Sequence, residues 1–167
     1  MTSEPVIRTA TAEDRPRIWP IFDAVVQAGE TYAYPTDLAS EQARDLWLER
    51  PPGHTVVAVD TDGTVLGTAK MGPNRPARGS HVGTASFMVG EVARGRGVGR
   101  ALASYVVDWH REHGFRGIQF NAVVETNTAA VALWTSVGFR IIGTVPQAFD
   151  HPRHGLVGLH VMYRELP

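Results

Sequence analysis

The fold of this chain is decided by residues 87–102, Phe-Met-Val-Gly-Glu-Val-Ala-Arg-Gly-Arg-Gly-Val-Gly-Arg-Ala-Leu. A short apolar run, Phe87–Val89, precedes the alternating glycines Gly95, Gly97 and Gly99, and an amphipathic helix begins at Val98. This order predicts a strand, a glycine-rich loop and a helix. Such a loop can direct several backbone N–H groups at one anion, with the positive end of the helix dipole behind them. The stretch therefore predicts a phosphate-binding loop.

The residues around the glycines decide which phosphate the loop can hold. A nucleotide-hydrolase P-loop needs Gly-Lys-Ser/Thr, but Gly99 is followed by Arg100-Ala101. The dinucleotide fingerprint Gly-x-Gly-x-x-Gly/Ala ends on Arg100 when read from Gly95, and on Leu102 when read from Gly97. Both patterns fail. The phosphate is therefore that of another ligand, and mobile positive charge for it is supplied by Arg94, Arg96 and Arg100.

The composition excludes several classes of protein. The chain has 167 residues, 43% of them hydrophobic and 20% charged, and we expect one domain, residues 1–167. A net charge of -1 gives no basic field for nucleic acid. The absence of cysteine excludes disulfides and thiolate metal sites. No signal peptide and no apolar run of about 18 residues is found, so we expect a cytoplasmic protein without a membrane partner.

Hydrophobic periodicity and turn signals predict a mixed α/β domain. Thr11 and Asp14 are typical of a capping box before a helix that reaches Ala28, with an irregularity at Pro20. Further helices are predicted for 40–49, capped by Ser40, and for 98–113 and 127–137. Strands are predicted for 6–9, 54–60, 64–71, 81–89, 117–124, 139–145 and 156–164, and Pro146–Gly155 is predicted to be a loop.

Two motifs resemble the GNAT (Gcn5-related N-acetyltransferase) superfamily. Arg94-Gly-Arg-Gly97-Val-Gly99 matches its Arg/Gln-x-x-Gly-x-Gly/Ala signature. A second family pattern, Asn-x-x-Ala-x-x-Leu-Tyr-x-x-x-Gly-Phe, is matched except at its tyrosine by Asn127, Ala130, Leu133, Trp134, Gly138 and Phe139. The order of predicted elements also fits, so the resemblance covers essentially the whole chain. It implies a mostly antiparallel mixed sheet of about seven strands, with helices on both faces and the fourth and fifth strands splayed apart.

The resemblance also implies that acetyl-CoA is the cosubstrate and lies in the cleft between those two strands. The backbone of Met88 and Val89 would pair with the pantetheine amides, as an added strand does. The pyrophosphate would lie on the N–H groups of residues 95–100, and Asn127, a helix cap by itself, would contact the pantetheine arm. The implied donor-binding residues are Met88, Val89, Arg94, Gly95, Arg96, Gly97, Val98, Gly99, Arg100, Asn127 and Trp134.

A closer resemblance concerns the acceptor. Residues 119–121 (Gln-Phe-Asn), Tyr32-x-Tyr34-Pro35 and 79–81 (Gly-Ser-His) are similar to N-acetyltransferases that act on proline analogues such as azetidine-2-carboxylate. In that branch the asparagine corresponding to Asn121 lies where the substrate carboxylate is held, whereas Thr84 replaces a usual asparagine. The implied substrate-binding residues are Tyr32, Tyr34, Thr84, Asn121 and Ala122.

The catalytic groups are the least determined. Amine attack on a thioester needs a route for a proton and a donor for the developing oxyanion. Most relatives are thought to protonate the leaving thiolate with a tyrosine at the position of Trp134, whose indole N–H can donate a hydrogen bond but cannot act as a general acid. Trp134 therefore stabilises sulfur, shapes the acyl pocket or only packs. Candidate bases are Glu30, Tyr32, His81 and Glu91.

We expect no metal site, because neither His110 and His113 nor His151 and His154 have a third ligand at a diagnostic spacing. The leading hypothesis is an N-acetyltransferase for a small amine, such as an amino acid or analogue. The alternatives are acetylation of a peptide or protein amine and a non-catalytic acyl-CoA-binding protein. The Glu30–Asp37 and Pro146–Gly155 loops suggest a covered acceptor site, and a homodimer through the C-terminal strands is common in this fold.

Overall fold

The computed structural model describes residues 3–167, so the first two residues of the predicted domain lie outside the described part. Seven strands and four α-helices are found along these residues. In chain order they are β1 (Val6–Thr9), α1 (Arg15–Ala28), α2 (Ser40–Trp47), β2 (His54–Val59), β3 (Val65–Pro73), β4 (Val82–Val89), α3 (Val98–Glu112), β5 (Gly117–Val124), α4 (Thr128–Ser136), β6 (Arg140–His151) and β7 (Gly155–Glu165).

The strands form one mixed sheet in the order β1-β2-β3-β4-β5-β7-β6. All neighbouring strands are antiparallel except β4 and β5, which are parallel. Only Val82–Gly117 and Gly83–Ile118 are paired between β4 and β5, so the two strands separate from Thr84 onward. The predicted sheet with splayed fourth and fifth strands is confirmed. The separation leaves one edge of β4 unpaired in the middle of the sheet.

Helices cover both faces of the sheet because its central strands carry apolar side chains on both sides. Helix α3 packs through Val98, Leu102 and Val106 on β2 and β3. On the opposite face, α1 and α2 pack on Val57 and Met88. Gly67 in β3 permits the close approach of α3, since a Cβ there would lie 3.0 Å from Val98 Cγ1 and from the Met88 carbonyl oxygen. No helix among residues 3–167 is both long and apolar enough to span a bilayer.

The N-terminal capping box is confirmed. The Asp14 carboxylate accepts a hydrogen bond of 2.8 Å from the Thr11 N–H and pairs with both terminal nitrogens of Arg8, at 2.7 and 2.8 Å. The hydrogen bonds from Arg8 lower the pKa of Asp14 to about 2. A 3₁₀ turn over Ala12–Asp14 precedes α1, which continues through Pro20. The cap of α2 is Ala39 and not Ser40, because the Ala39 N–H donates to the side chain of Gln42.

The predicted loop at Pro146–Gly155 is wrong. Strand β6 extends to His151, and a tight turn leads into β7 at Gly155. Pro146 is tolerated because β6 is the edge strand of the sheet, where a missing N–H breaks no ladder on the outer side. The pairing also shifts register between Val145 and Phe149, where Gln147 adopts a φ of 53°. The sequence around Pro146 is therefore typical of a loop, although it forms an irregular part of a long hairpin.

Candidate active site

The glycine-rich loop has the conformation that an anion site requires. Gly95 and Gly97 have φ values of +76° and +77°, and a Cβ on either would have no heavy atom within 4 Å. Gly97 caps α3, accepting a hydrogen bond from the Ala101 N–H, so the loop leads directly into the positive end of the helix dipole. Open space in front of left-handed glycines lets an anion approach their N–H groups closely.

The three arginines of the loop have different surroundings. Arg96 pairs with Asp60, in the turn between β2 and β3, at 2.8 Å, and the hydrogen bond from Arg96 lowers the pKa of this carboxyl. Arg100 donates to Ser136 Oγ at 3.1 Å, whereas Arg94 is exposed. Arg94 and Arg100 are therefore available to an anion. The role of Asp60 was missed because nothing in the sequence connects a β-turn with a loop 36 residues later.

Along its unpaired edge, β4 directs the backbone N–H and C=O groups of every second residue into the gap between β4 and β5. The Gly90 N–H donates to Leu66 and the Asn74 N–H to Val82, so the even-numbered residues of β4 bond with β3. Phe87 and Val89 therefore direct their N–H and C=O groups toward β5. The predicted pairing of pantetheine with Met88 and Val89 stays a prediction. The backbone groups of Met88 bond with β3, and those that face the gap are the groups of Phe87 and Val89.

Tyr32 occupies the backbone groups of Phe87. Its hydroxyl donates to the Phe87 carbonyl oxygen at 2.7 Å and accepts from the Phe87 N–H at 2.9 Å. Burial of the hydroxyl raises the pKa of Tyr32 above its usual value. A phenol that is harder to ionise and already engaged in two hydrogen bonds is a poor proton acceptor. The role of Tyr32 as general base stays a prediction, and these two hydrogen bonds do not favour it.

Trp134 lies on α4, and Asn127 caps the N-terminus of this helix. Trp134 is 7% exposed and packs on Phe87 and Phe120, with ring centroids 4.5 and 5.0 Å away. This packing places the indole in the core under β4. The side chain of Asn127 accepts a hydrogen bond from the Ala130 N–H at 3.3 Å, as a helix cap does. Contact of either side chain with the donor stays a prediction.

A cavity of about 450 Å³ lies beside the separation of β4 and β5. Three segments distant in sequence form most of it: the turn after α2, the end of β3 with the three residues that follow, and the middle of β4. Asn121 of β5 closes one side, where its amide donates to Asn74 Oδ1 at 2.7 Å. The lining residues are Glu49, Arg50, Pro52, Gly53, Lys70, Met71, Gly72, Pro73, Asn74, Arg75, Pro76, Thr84, Ala85, Ser86 and Asn121.

The charged groups of this cavity are mostly basic. Lys70 is engaged, since its ammonium donates to the Leu46 carbonyl oxygen at 2.7 Å and lies 3.3 Å from Glu49. Arg50 and Arg75 form no ion pair within residues 3–167. Two guanidinium groups without a carboxylate partner can bind an acidic group of a ligand.

The structure brings together only part of the predicted acceptor site. Thr84 and Asn121 line the cavity, whereas Tyr34 stacks on Tyr32 in the core beside α1, and Ala122 lies in the bulge of β5. The lining also contains Arg75, Asn74 and Ser86, which the sequence analysis missed. No sequence motif connects these residues, because they are distant in the chain and come together only through the pairing of β3 with β4.

The remaining candidate bases lie outside the cavity lining. His81 is exposed in the turn before β4, and Glu91 is exposed beside the glycine loop. Glu30 pairs with Arg153 at 2.7 Å, which joins the segment after α1 to the turn between β6 and β7. The two segments predicted to cover the acceptor site are therefore in contact, although neither contributes to the lining.

The histidines form no metal site among the described residues, which contain no group of three or more potential ligands. His110 is fully buried, with Nδ1 2.7 Å from the Val106 carbonyl oxygen and Nε2 lacking a partner within residues 3–167. Burial lowers the pKa of this imidazole. The ring lies directly against β4, because a Cβ on Gly83 would be 2.2 Å from it.

Comparisons with known proteins agree with this geometry. A sequence profile of the family described as Acetyltransferase (GNAT) family matches residues 18–139. The L-methionine sulfoximine/L-methionine sulfone acetyltransferase of Pseudomonas aeruginosa is 35% identical over 150 residues, which are 84% of this chain and 83% of that protein.

Solved structures match over nearly the whole chain. A GCN5-related N-acetyltransferase from Kribbella flavida is 61% identical, with a TM-score of 0.95 and 98% of each chain covered. The acetyltransferase yncA from Salmonella typhimurium, solved with its cofactor acetyl-CoA, is 25% identical, with a TM-score of 0.81 and coverage of 99% of this chain and 95% of that one.

Proposed function

This chain belongs to the acetyltransferase (GNAT) family and is an acetyl-CoA-dependent N-acyltransferase, and on that premise we propose that it acetylates a small amine carrying a carboxylate. An amino acid or amino acid analogue has this chemistry. The observation that carries the proposal is the cavity beside β4, where Arg50 and Arg75 have no acidic partner within residues 3–167.

The donor is proposed to lie in the gap between β4 and β5. Acetyl-CoA would place its pyrophosphate on the N–H groups of the loop at Gly95 and Gly97, near Arg94 and Arg100. Its pantetheine arm would then follow the unpaired edge of β4 from Val89. Amides of the arm can replace the strand that is missing there, since they alternate donors and acceptors as a peptide does. The thioester would end near the cavity.

The acceptor is proposed to enter the cavity with its carboxylate toward Arg75 and Arg50. Charge pairing at that end would orient the amine toward β4, where Thr84 and Ser86 form the wall. Such orientation converts a bimolecular attack into one within a bound complex. The Pseudomonas relative acts, by its name, on L-methionine sulfoximine and L-methionine sulfone, which are amino acid derivatives. The narrower proline-analogue assignment stays a prediction.

Attack on the thioester requires a neutral amine, so an ammonium must first lose a proton. The described lining contains one carboxylate, Glu49, and it is engaged with Lys70. The predicted bases Glu30 and His81 lie outside that lining. We therefore assign proton removal to water in the open cavity and no single base to the reaction. A free thiol has a pKa of roughly 8.5, so the sulfur can depart as thiolate without a protein acid.

A panel of amines tests the proposed function. Release of free CoA from acetyl-CoA is measured with amino acids, with the same amines lacking the carboxylate, with polyamines and with peptides that present a free N-terminus. We expect turnover with a carboxylate-bearing small amine and formation of its N-acetyl product by mass spectrometry. Turnover confined to peptides would support the alternative of a peptide or protein acceptor and would overturn the proposal.

Two copies of the chain are proposed to pair through β6. This edge strand exposes Ile141, Ile142 and Val145 by 44, 54 and 52%. Exposed apolar side chains on an edge strand favour association with another strand. Light scattering coupled to gel filtration should give twice the chain mass, and replacement of Ile142 by Lys should return the monomer. A wild-type monomer at micromolar concentration would contradict this proposal.

A further inference from the structure

Asn121 lies in a part of β5 where the backbone has no partner strand within residues 3–167. The pairing of β5 with β7 shifts between Phe120 and Val123, so Asn121 is inside the bulge. On the other side of β5, the pairing with β4 has already ended at Ile118. The strand pairing therefore does not fix Asn121, although its side chain lines the acceptor cavity.

Two amide side chains hold Asn121 in place of a partner strand. Gln119 Nε2 donates to Asn121 Oδ1 at 2.9 Å, and Asn121 Nδ2 donates to Asn74 Oδ1 at 2.7 Å. Both of these neighbours have a backbone that is fixed by the sheet. Gln119 pairs with Tyr163 of β7, and the Asn74 N–H donates to the Val82 carbonyl oxygen at 2.8 Å. The three amides thus form a bridge from the residue after β3 to β5, two strands that β4 separates in the sheet.

The bridge leaves Asn121 with hydrogen-bonding capacity for a ligand. A side-chain amide has two N–H donors and an oxygen with two lone pairs. Asn121 uses one donor on Asn74 and one lone pair on Gln119, so one N–H and one lone pair have no partner within the described part of the chain. Thr84 and Arg75 line the same cavity. The free N–H of Asn121 therefore belongs to the wall of the proposed acceptor site.

We propose that Asn74 is a positioning residue that holds the Asn121 amide in the cavity wall, where the free N–H of Asn121 donates to an oxygen of the acceptor. The proposal rests on the proposed function for its acceptor side only. Without the Asn74 side chain, the Asn121 amide keeps the bond from Gln119 but can rotate away from the cavity, since the bulge does not hold it. Binding of the acceptor then weakens, whereas the donor site at the glycine loop is unchanged.

Replacement of Asn74 by Ala tests this idea, because it removes the side-chain amide and keeps the backbone bond to Val82. We expect KM for the acceptor to rise about threefold to tenfold, as the loss of one hydrogen bond does, with kcat and the dissociation constant for acetyl-CoA unchanged. Asn121→Ala should raise KM at least as much, and the double variant should equal Asn121→Ala, because Asn74 acts through Asn121. Gln27→Ala is the matched control, since it also removes an exposed amide, whose Nε2 donates to the Thr36 carbonyl oxygen at 2.6 Å outside the cavity lining.

A second readout does not depend on turnover. Asn74→Ala should move the side-chain amide proton resonances of Asn121 toward those of a solvent-exposed asparagine, because the bond to Asn74 is lost, whereas Gln27→Ala should leave them unchanged. An Asn74→Ala protein with the wild-type KM or with wild-type Asn121 resonances would overturn the proposal, and so would a double variant with a higher KM than Asn121→Ala. If no amine is acetylated but the resonances follow this pattern, the acceptor assignment fails while the positioning of Asn121 by Asn74 stands.

Discussion

Replacement of Gly97 by Ala should weaken acetyl-CoA binding without a clash inside the protein. Gly97 has a φ of +77°, and a Cβ there would meet no heavy atom within 4 Å. An L-residue with a side chain loses roughly 1–2 kcal/mol in the left-handed region. The free loop can relax to avoid this cost, whereas the bound loop must keep the conformation that directs its N–H groups at the pyrophosphate. The dissociation constant should therefore rise roughly 5- to 30-fold.

Gly29→Ala is the matched control for this experiment. Gly29 has a φ of +64° and equally open space around its Cβ position, but it caps α1 and is not part of the loop. This variant should lose about 1–2 kcal/mol of stability, or roughly 2–8 °C in Tm, and bind acetyl-CoA as the wild type does. Calorimetric titration with acetyl-CoA and a thermal melt are run on both variants. A Gly97→Ala protein with wild-type affinity would refute the assignment of this loop to the pyrophosphate.

Three further predictions concern other parts of the donor site and the fold. The ion pair of Asp60 with Arg96 is expected to act by holding the glycine loop. The dissociation constant for acetyl-CoA should therefore rise by the same factor in Asp60→Ala, in Arg96→Ala and in the double variant. Weaker binding in Arg96→Ala alone would instead mean that Arg96 contacts the phosphate directly. Gly83→Ala should lower the free energy of unfolding by about 1–3 kcal/mol in urea, because its Cβ would overlap the buried imidazole behind β4, while Gly143→Ala, with open space around it, should lose much less. The folded-state pKa of Asp14, about 2, is below its unfolded value, so its contribution to stability is complete above about pH 4 and is lost as the pH falls toward 2. Asp14→Asn should therefore flatten the dependence of the unfolding free energy on pH in that window, and an unchanged slope would contradict the role of the ion pair.

The glycine-rich loop and the elements on either side of it could be predicted from the sequence because their signals are local. The strand, the loop at Gly95 and Gly97 and the following helix are contiguous, and both glycines have a positive φ that other residues rarely adopt. In contrast, the sequence did not show which residues of β4 direct their backbone N–H and C=O groups toward the gap. This depends on which of two registers β4 adopts against β3, and a shift of one residue exchanges Met88 for Phe87 at the gap.

The cavity lining could be predicted only in part. The family resemblance named Thr84 and Asn121, but Arg75 and Ser86 join them only through the pairing of β3 with β4. The long hairpin of β6 and β7 was predicted to break at Pro146, whose effect on an edge strand depends on knowing that the strand is at the edge. Cavities made from distant segments have no signature in a single sequence.

We propose that a carboxylate on the acceptor binds the unpaired guanidinium groups of Arg50 and Arg75 in the cavity. The most direct measurement is the ratio of kcat/KM for a carboxylate-bearing amine to that for the same amine without the carboxylate, in the wild type and in the double variant Arg50→Gln/Arg75→Gln. A charge-assisted pair of about 2–3 kcal/mol predicts a wild-type ratio of roughly 30 to 150, which should fall toward 1 in the double variant. A wild-type ratio near 1, or one that the double variant leaves unchanged, would show that these arginines do not recognise the acceptor.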